Sequence, residues 1–221
     1  MKKYVLLLGV AVLSACASKP PPPDWQANAF AAINSYSSAY LEGNTRVADL
    51  EFARATTEVS RTGRTDLMAR LALVRCATQV ASLVFEPCTA YLALATDAQP
   101  PEQAYAAFIG GQWTRLDTKL LPVAYQGLVA SHASASSAVS QLNQIEDHLS
   151  RLVAAGVLLQ REQISDIDIG LAAETASNQG WRRPLLAWLG VQLKRAQSAG
   201  DTAQAVRLQR RIDLVLQTPT R

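Results

Sequence analysis

The chain predicts an all-α fold of about nine helices in antiparallel hairpins, and three observations carry that prediction. The composition is 49% apolar but only 6% aromatic, with Ala and Leu dominant, whereas strands enrich β-branched and aromatic residues. Apolar residues recur three and four apart along most of the length, the period of a helix face. Gly, Pro and cap-forming residues interrupt that period at helix-length intervals. No stretch alternates with the period of two that a half-buried strand requires.

In chain order, Asp24 reads as a cap for a helix over 25–42, with Ala29, Ile33, Tyr36 and Tyr40 on one face. Gly43 ends it and Asn44 or Thr45 opens a second over 46–61, whose stripe is Ala48, Phe52, Ala55 and Val59. Gly63 stops that helix, and so short a loop makes the pair a hairpin. A third helix over 66–85 carries Leu67, Leu71, Val74, Ala81 and Val84, with apolar residues on its flanks as well. A helix apolar nearly all round is a central one. Pro87 breaks it, and a short helix follows over 88–96.

Pro101 starts a helix to Ile109, and Gly110-Gly111 ends it. Residues 116–131 read as a helix kinked by Pro122. His132 to Ser137 is a small-residue turn. Ala135, Ala138, Leu142, Ile145, Leu149 and Leu152 then form the cleanest periodic run, which predicts one helix ending at Gly156. Ser165-Asp166-Ile167-Asp168 opens another, closing at Gly180. The last two, over 183–199 and 201–217, are joined by Gly200. Residues 24–217 are therefore expected to form a single helical domain.

The first 23 residues have a different character. Met1-Lys2-Lys3 is a basic start, and Val5 to Leu13 is an apolar run too short to span a bilayer, which needs ~20 residues. Leu13-Ser14-Ala15-Cys16 follows, and it resembles the lipobox of bacterial lipoproteins. That resemblance implies a signal peptide over 1–15, cut before Cys16, with Cys16 carrying the lipid. Ala17 stands where an Asp would signal inner-membrane retention in such lipoproteins, so the resemblance implies an outer-membrane anchor. Residues 16–23 form the tether, and Pro20 to Pro23 favour a stiff polyproline spacer of roughly 12 Å.

A second resemblance covers both ends of the body. Tyr40 to Ala55, with Gly43-Asn44 at the turn and Ala48, Phe52 and Ala55 at close-packing positions, looks like the turn and second helix of a tetratricopeptide repeat. Ala199 to Ala205 repeats the turn, but Gln209 and Ile212 follow where that family has an aromatic and a small residue. No 34-residue period covers the middle. The resemblance implies a partner-binding scaffold, and it assigns no binding residue.

Charge is unevenly placed. Residues 16–180 carry 11 basic and 16 acidic side chains, whereas 181–221 carry 8 and 2. The basic segment, with Arg182, Arg183, Arg207 and Arg211, is a candidate surface for an anionic partner. It could equally attract the acidic body, but Arg207 and Arg211 lie opposite the apolar stripe of the last helix, which favours the outward reading. Trp181 beside Arg182 and Arg183 suits phosphate-rich headgroups, or else anchors the core. Once the basic residues of the signal are gone the totals nearly balance, so nucleic acid is not indicated.

Cys76 and Cys88 remain as thiols beyond a lipidated Cys16. In an oxidising compartment they are a disulfide candidate, the alternative being two buried free cysteines. Catalysis has little support. Asp147 and His148 are adjacent on a helix and point about 100° apart, so Asp147 cannot orient His148 toward Ser131. Asp166 and Asp168 could be paired carboxylates for glycan cleavage, but acidic residues also serve a helix start. No metal or cofactor motif is present. The expected function is an outer-membrane-anchored periplasmic lipoprotein acting as a protein-interaction scaffold in the cell envelope. The alternative is a cell-wall-modifying enzyme or the activator of one.

Overall fold

A computed structural model describes residues 22–133 and 141–217. The signal, Cys16 and the tether up to residue 21 lie outside the described residues, as do Ala135, Ala138 and the last four residues. Among the described residues the chain is all-helical, with no strand. In order come α1 (Asp24–Glu42), α2 (Thr45–Ser60), α3 (Thr65–Ala81), α4 (Thr89–Leu92), α5 (Pro100–Ile109), α6 (Val123–Ala133), α7 (His148–Gln160), α8 (Asp166–Asn178), α9 (Arg182–Ser198) and α10 (Thr202–Gln217).

The hairpin turns form where the chain supplies the right backbone chemistry. Gly43 takes φ 96° while the Asn44 N–H reaches back to the Ala39 carbonyl, and Asn44 Oδ1 then accepts from the Val47 N–H to start α2. At the other end of the chain Gly200 takes φ 73° and Asp201 accepts from the Gln204 N–H. Asp24 is the first helical residue rather than the cap, a position held by Pro23.

Helix α3 is central, as its composition predicts. One side packs on the α1–α2 hairpin through Leu71, which joins Ala29, Ala32, Ala55 and Val59. Its other side enters the main core with Leu152, Val157, Ile169, Trp188 and Leu189 from α7, α8 and α9. The Trp188 indole N–H donates to the Ala81 carbonyl at the end of α3, filling one of the orphan acceptors every helix C-terminus leaves.

Three expectations need correction. Residues 116–131 are not one kinked helix: a short 3-10 turn at Thr118–Leu120 stops before Pro122, and α6 starts after it. Proline removes a backbone donor and clashes with the preceding turn, so here it separates two elements. The periodic run to Leu152 is also divided. Leu142–Gln144 is a 3-10 turn, and Asp147 caps α7 by accepting from the Ser150 N–H. Leu142 and Ile145 are buried all the same, so the period reported burial correctly and helix continuity wrongly.

Gly156 is the third. It lies inside α7, where a Cβ would sit 2.4 Å from the Val80 carbonyl oxygen. It marks the close crossing of α7 on α3 and ends nothing.

Candidate functional site

The segment after α3 shapes a cleft with an apolar lining. Helix α3 stops at Ala81, four residues earlier than its apolar pattern predicts, and Leu83 takes φ 61°. The Leu83 and Val84 N–H groups reach back to the Val80 and Gln79 carbonyls, a Schellman closure with leucine where glycine is usual. A left-handed φ costs a β-carbon-bearing residue about 1–2 kcal/mol. Partial burial of Leu83 against the main core helps offset that.

This early reversal lets Cys88 return to Cys76. The two are joined as a disulfide, with Cα atoms 5.9 Å apart. The bridge fixes the loop 82–88 and presents Phe85, Glu86 and Pro87 beside α4.

Between this loop and α5 lies a cleft of about 460 Å³. Leu73, Val80 and Ile109 form its apolar floor, and Phe85 and Leu92 stand at its edge, 39% and 61% exposed. Gln112 and Gln160 add side-chain amides, and among the described residues Glu86 is the only charged one in the lining. Tyr91 forms part of the wall. Burial raises its phenol above the ordinary range, with the nearby Glu102 charge adding to the effect.

A second cleft, about 470 Å³, opens on the other flank of α5. Arg70 donates through Nε and Nη2 to Glu102 Oε1 at 2.8 and 2.5 Å, and Glu102 is 4% exposed. Its Oε2 has no hydrogen-bond partner among the described residues. Tyr105, Tyr125 and Ser150 lie behind them. Burial pushes Tyr105 well above the usual phenol range and Tyr125 up to about 12. These hydroxyls stay protonated near neutral pH and can bind or position but not act as bases.

The arginines of the basic segment are used differently from expectation. Arg182 Nε donates to the Val215 carbonyl near the end of α10. Arg183 Nε donates to the Tyr40 carbonyl and Nη2 to Thr45 Oγ1, with its guanidinium 4.2 Å from the Tyr40 ring centre. Both therefore cap helix C-termini, where a cation also meets the favourable end of the macrodipole. Arg211 reaches Glu174 at 3.4 Å, and Arg207 holds Gln204 on its own helix. Arg182 and Arg183 are thus each engaged by carbonyls remote in sequence. Trp181 is half-buried against the core.

The candidate acid–base groups are also accounted for. Asp168 completes a capping box with Ser165 at the start of α8, and Asp166 pairs with Arg195 of α9. Asp147 caps α7, Ser131 Oγ donates to the Leu128 carbonyl, and His148 is exposed in the first turn of α7. Among the described residues no group of three or more His, Cys, Asp or Glu is placed to hold a metal ion, and no helix is long and apolar enough to cross a membrane.

No family model, curated protein or solved structure matches this chain.

The cleft beside the disulfide was not legible beforehand. Its edge depends on the left-handed turn at Leu83, and no glycine announces one there.

Proposed function

We propose that this chain is an outer-membrane-anchored lipoprotein whose helical body is a protein-interaction module of the cell envelope. Leu13-Ser14-Ala15-Cys16 supports the anchor through its resemblance to the lipobox. The observation that carries the binding role is the open apolar cleft, with Phe85 and Leu92 exposed on walls held by the Cys76–Cys88 bridge. Soluble proteins keep large apolar side chains exposed together chiefly where something binds. The helical hairpins α1–α2 and α9–α10 suit the tetratricopeptide-like scaffold that the turn residues imply.

The enzyme reading would need convergent carboxylates, whereas Asp168 serves the N-terminal cap of its own helix and Asp166 pairs with Arg195 of α9. The activator reading falls within the binding role.

Two measurements test this proposal. Cys16→Ala should abolish incorporation of labelled fatty acid and release the protein from the outer-membrane fraction; retention of both label and fraction sinks the anchor. A photo-crosslinking residue at Leu92 should yield a discrete adduct in cells, and one at Gln197, an exposed site on α9, should not. Equal behaviour at the two sites sinks the binding role.

A further inference from the structure

The disulfide cleft constrains what it can hold, given that the body is a binding module. Among the described residues Glu86 is the only charged one lining the cleft, and the cations beside the lining are engaged elsewhere: Arg161 donates to the Gly111 carbonyl and lies over Trp113, and Arg75 pairs with Asp49. Glu102 is matched by Arg70, but Glu86 is exposed at the cleft with no ion pair among the described residues. The floor is apolar and the edge pairs an apolar side chain with this carboxylate.

We propose that the cleft binds an extended peptide segment in which a large apolar side chain stands next to a Lys or Arg. The apolar side chain enters between Phe85 and Leu92 over Leu73, Val80 and Ile109. The basic neighbour meets Glu86, and an acidic neighbour is repelled. The amides of Gln112 and Gln160 can donate to and accept from the peptide backbone. A volume of about 460 Å³ accommodates an anchoring side chain and its flanks rather than a whole helix. The bridged loop is already ordered, so less conformational entropy is lost on binding.

The test uses the full mature chain with Cys16→Ser, which keeps it free of detergent, and with the disulfide oxidised. A displayed library of random peptides is panned on it, and the recovered peptides are synthesised and titrated. Peptides with adjacent apolar and basic residues should be enriched. Leu92→Gln should weaken them tenfold or more, and Glu86→Lys threefold or more. Val206→Gln, which alters an exposed apolar residue on α10, should leave affinity unchanged.

Leu92 and Glu86 are exposed, and unchanged melting curves confirm that each variant is folded. Phe85→Ser supplies a second cleft variant. Failure to recover any binder sensitive to Leu92→Gln, or enrichment of acidic peptides, overturns the proposal. So does concentration-dependent self-association abolished by Leu92→Gln, because a second copy would then be the occupant. An adduct at Leu92 in cells combined with acidic winners here would leave the binding role standing and defeat only this assignment.

Discussion

Replacing Gly156 with alanine tests the α3–α7 crossing directly. The added Cβ would lie 2.4 Å from the Val80 carbonyl oxygen and 2.9 Å from Val80 Cγ1, so the two helices must move apart by nearly an ångström. Overpacking of this kind costs about 1–3 kcal/mol, and more when backbone rather than a side chain has to yield. Alanine recovers about 1 kcal/mol of helix propensity over glycine. The upper half of the overpacking range therefore leaves a net loss of about 1–2 kcal/mol. Gly190 is the internal control, because it lies inside α9 and a β-carbon added there would meet nothing within 4 Å. Gly190→Ala should stabilise by about 0.5–1 kcal/mol through the unfolded chain and helix propensity. Urea unfolding followed by far-UV circular dichroism should move the two midpoints in opposite directions. A Gly156→Ala protein at least as stable as the parent would refute the close crossing.

Three further outcomes are expected. Replacing both Cys76 and Cys88 with Ser should cost about 3 kcal/mol on the chain-entropy account of a 13-residue loop, read as a lower urea midpoint with the helical spectrum retained. Arg183→Ala should lower stability by about 1–2 kcal/mol through lost charged hydrogen bonds, whereas Arg207→Glu combined with Arg211→Glu should change it by less than about 1 kcal/mol; thermal melts distinguish them. Tyr105 and Tyr125 titrate higher folded than unfolded, so the neutral phenol favours the native state. That contribution is complete below the ordinary phenol value near 10 and is lost as pH climbs toward about 12. Absorbance at 295 nm should show little tyrosine ionisation near pH 10, because burial raises Tyr36, Tyr40 and Tyr91 as well, and Tyr105 and Tyr125 should ionise only with alkaline unfolding.

Local chemistry was legible in the sequence where it is decided locally. Gly43 with Asn44, Gly63, Gly180 and Gly200 each stand at a helix end in the structure, and the run from Ser165 to Asp168 opens a helix as expected, there as a capping box. The pairing of Cys76 with Cys88 was also accessible from counting thiols. What failed to show depends on neighbours distant in the chain. Gly156 resembles a terminator until Val80 is placed beside it. Arg182 and Arg183 look like free surface charge, yet their carbonyl partners lie 33 and 143 residues away. Leu83 carries no mark of its left-handed turn. The site at the disulfide inherits that opacity, since its edge, floor and charge come from α3, the bridged loop, α4 and α5 together.

The position of α9 bears on how the chain is made as well as how it stands. Its Arg183 closes the end of α1 and its Trp188 closes the end of α3. Both helices belong to the earliest third of the described chain. During synthesis or export from the N-terminus, these two ends must wait with exposed carbonyls until about a hundred or more later residues have emerged. Early segments can form hairpins on their own, but they cannot complete their caps. The last third of the polypeptide thus acts as a latch on the first, and a chain interrupted before residue 182 should persist as an open, protease-sensitive intermediate rather than a smaller version of the fold.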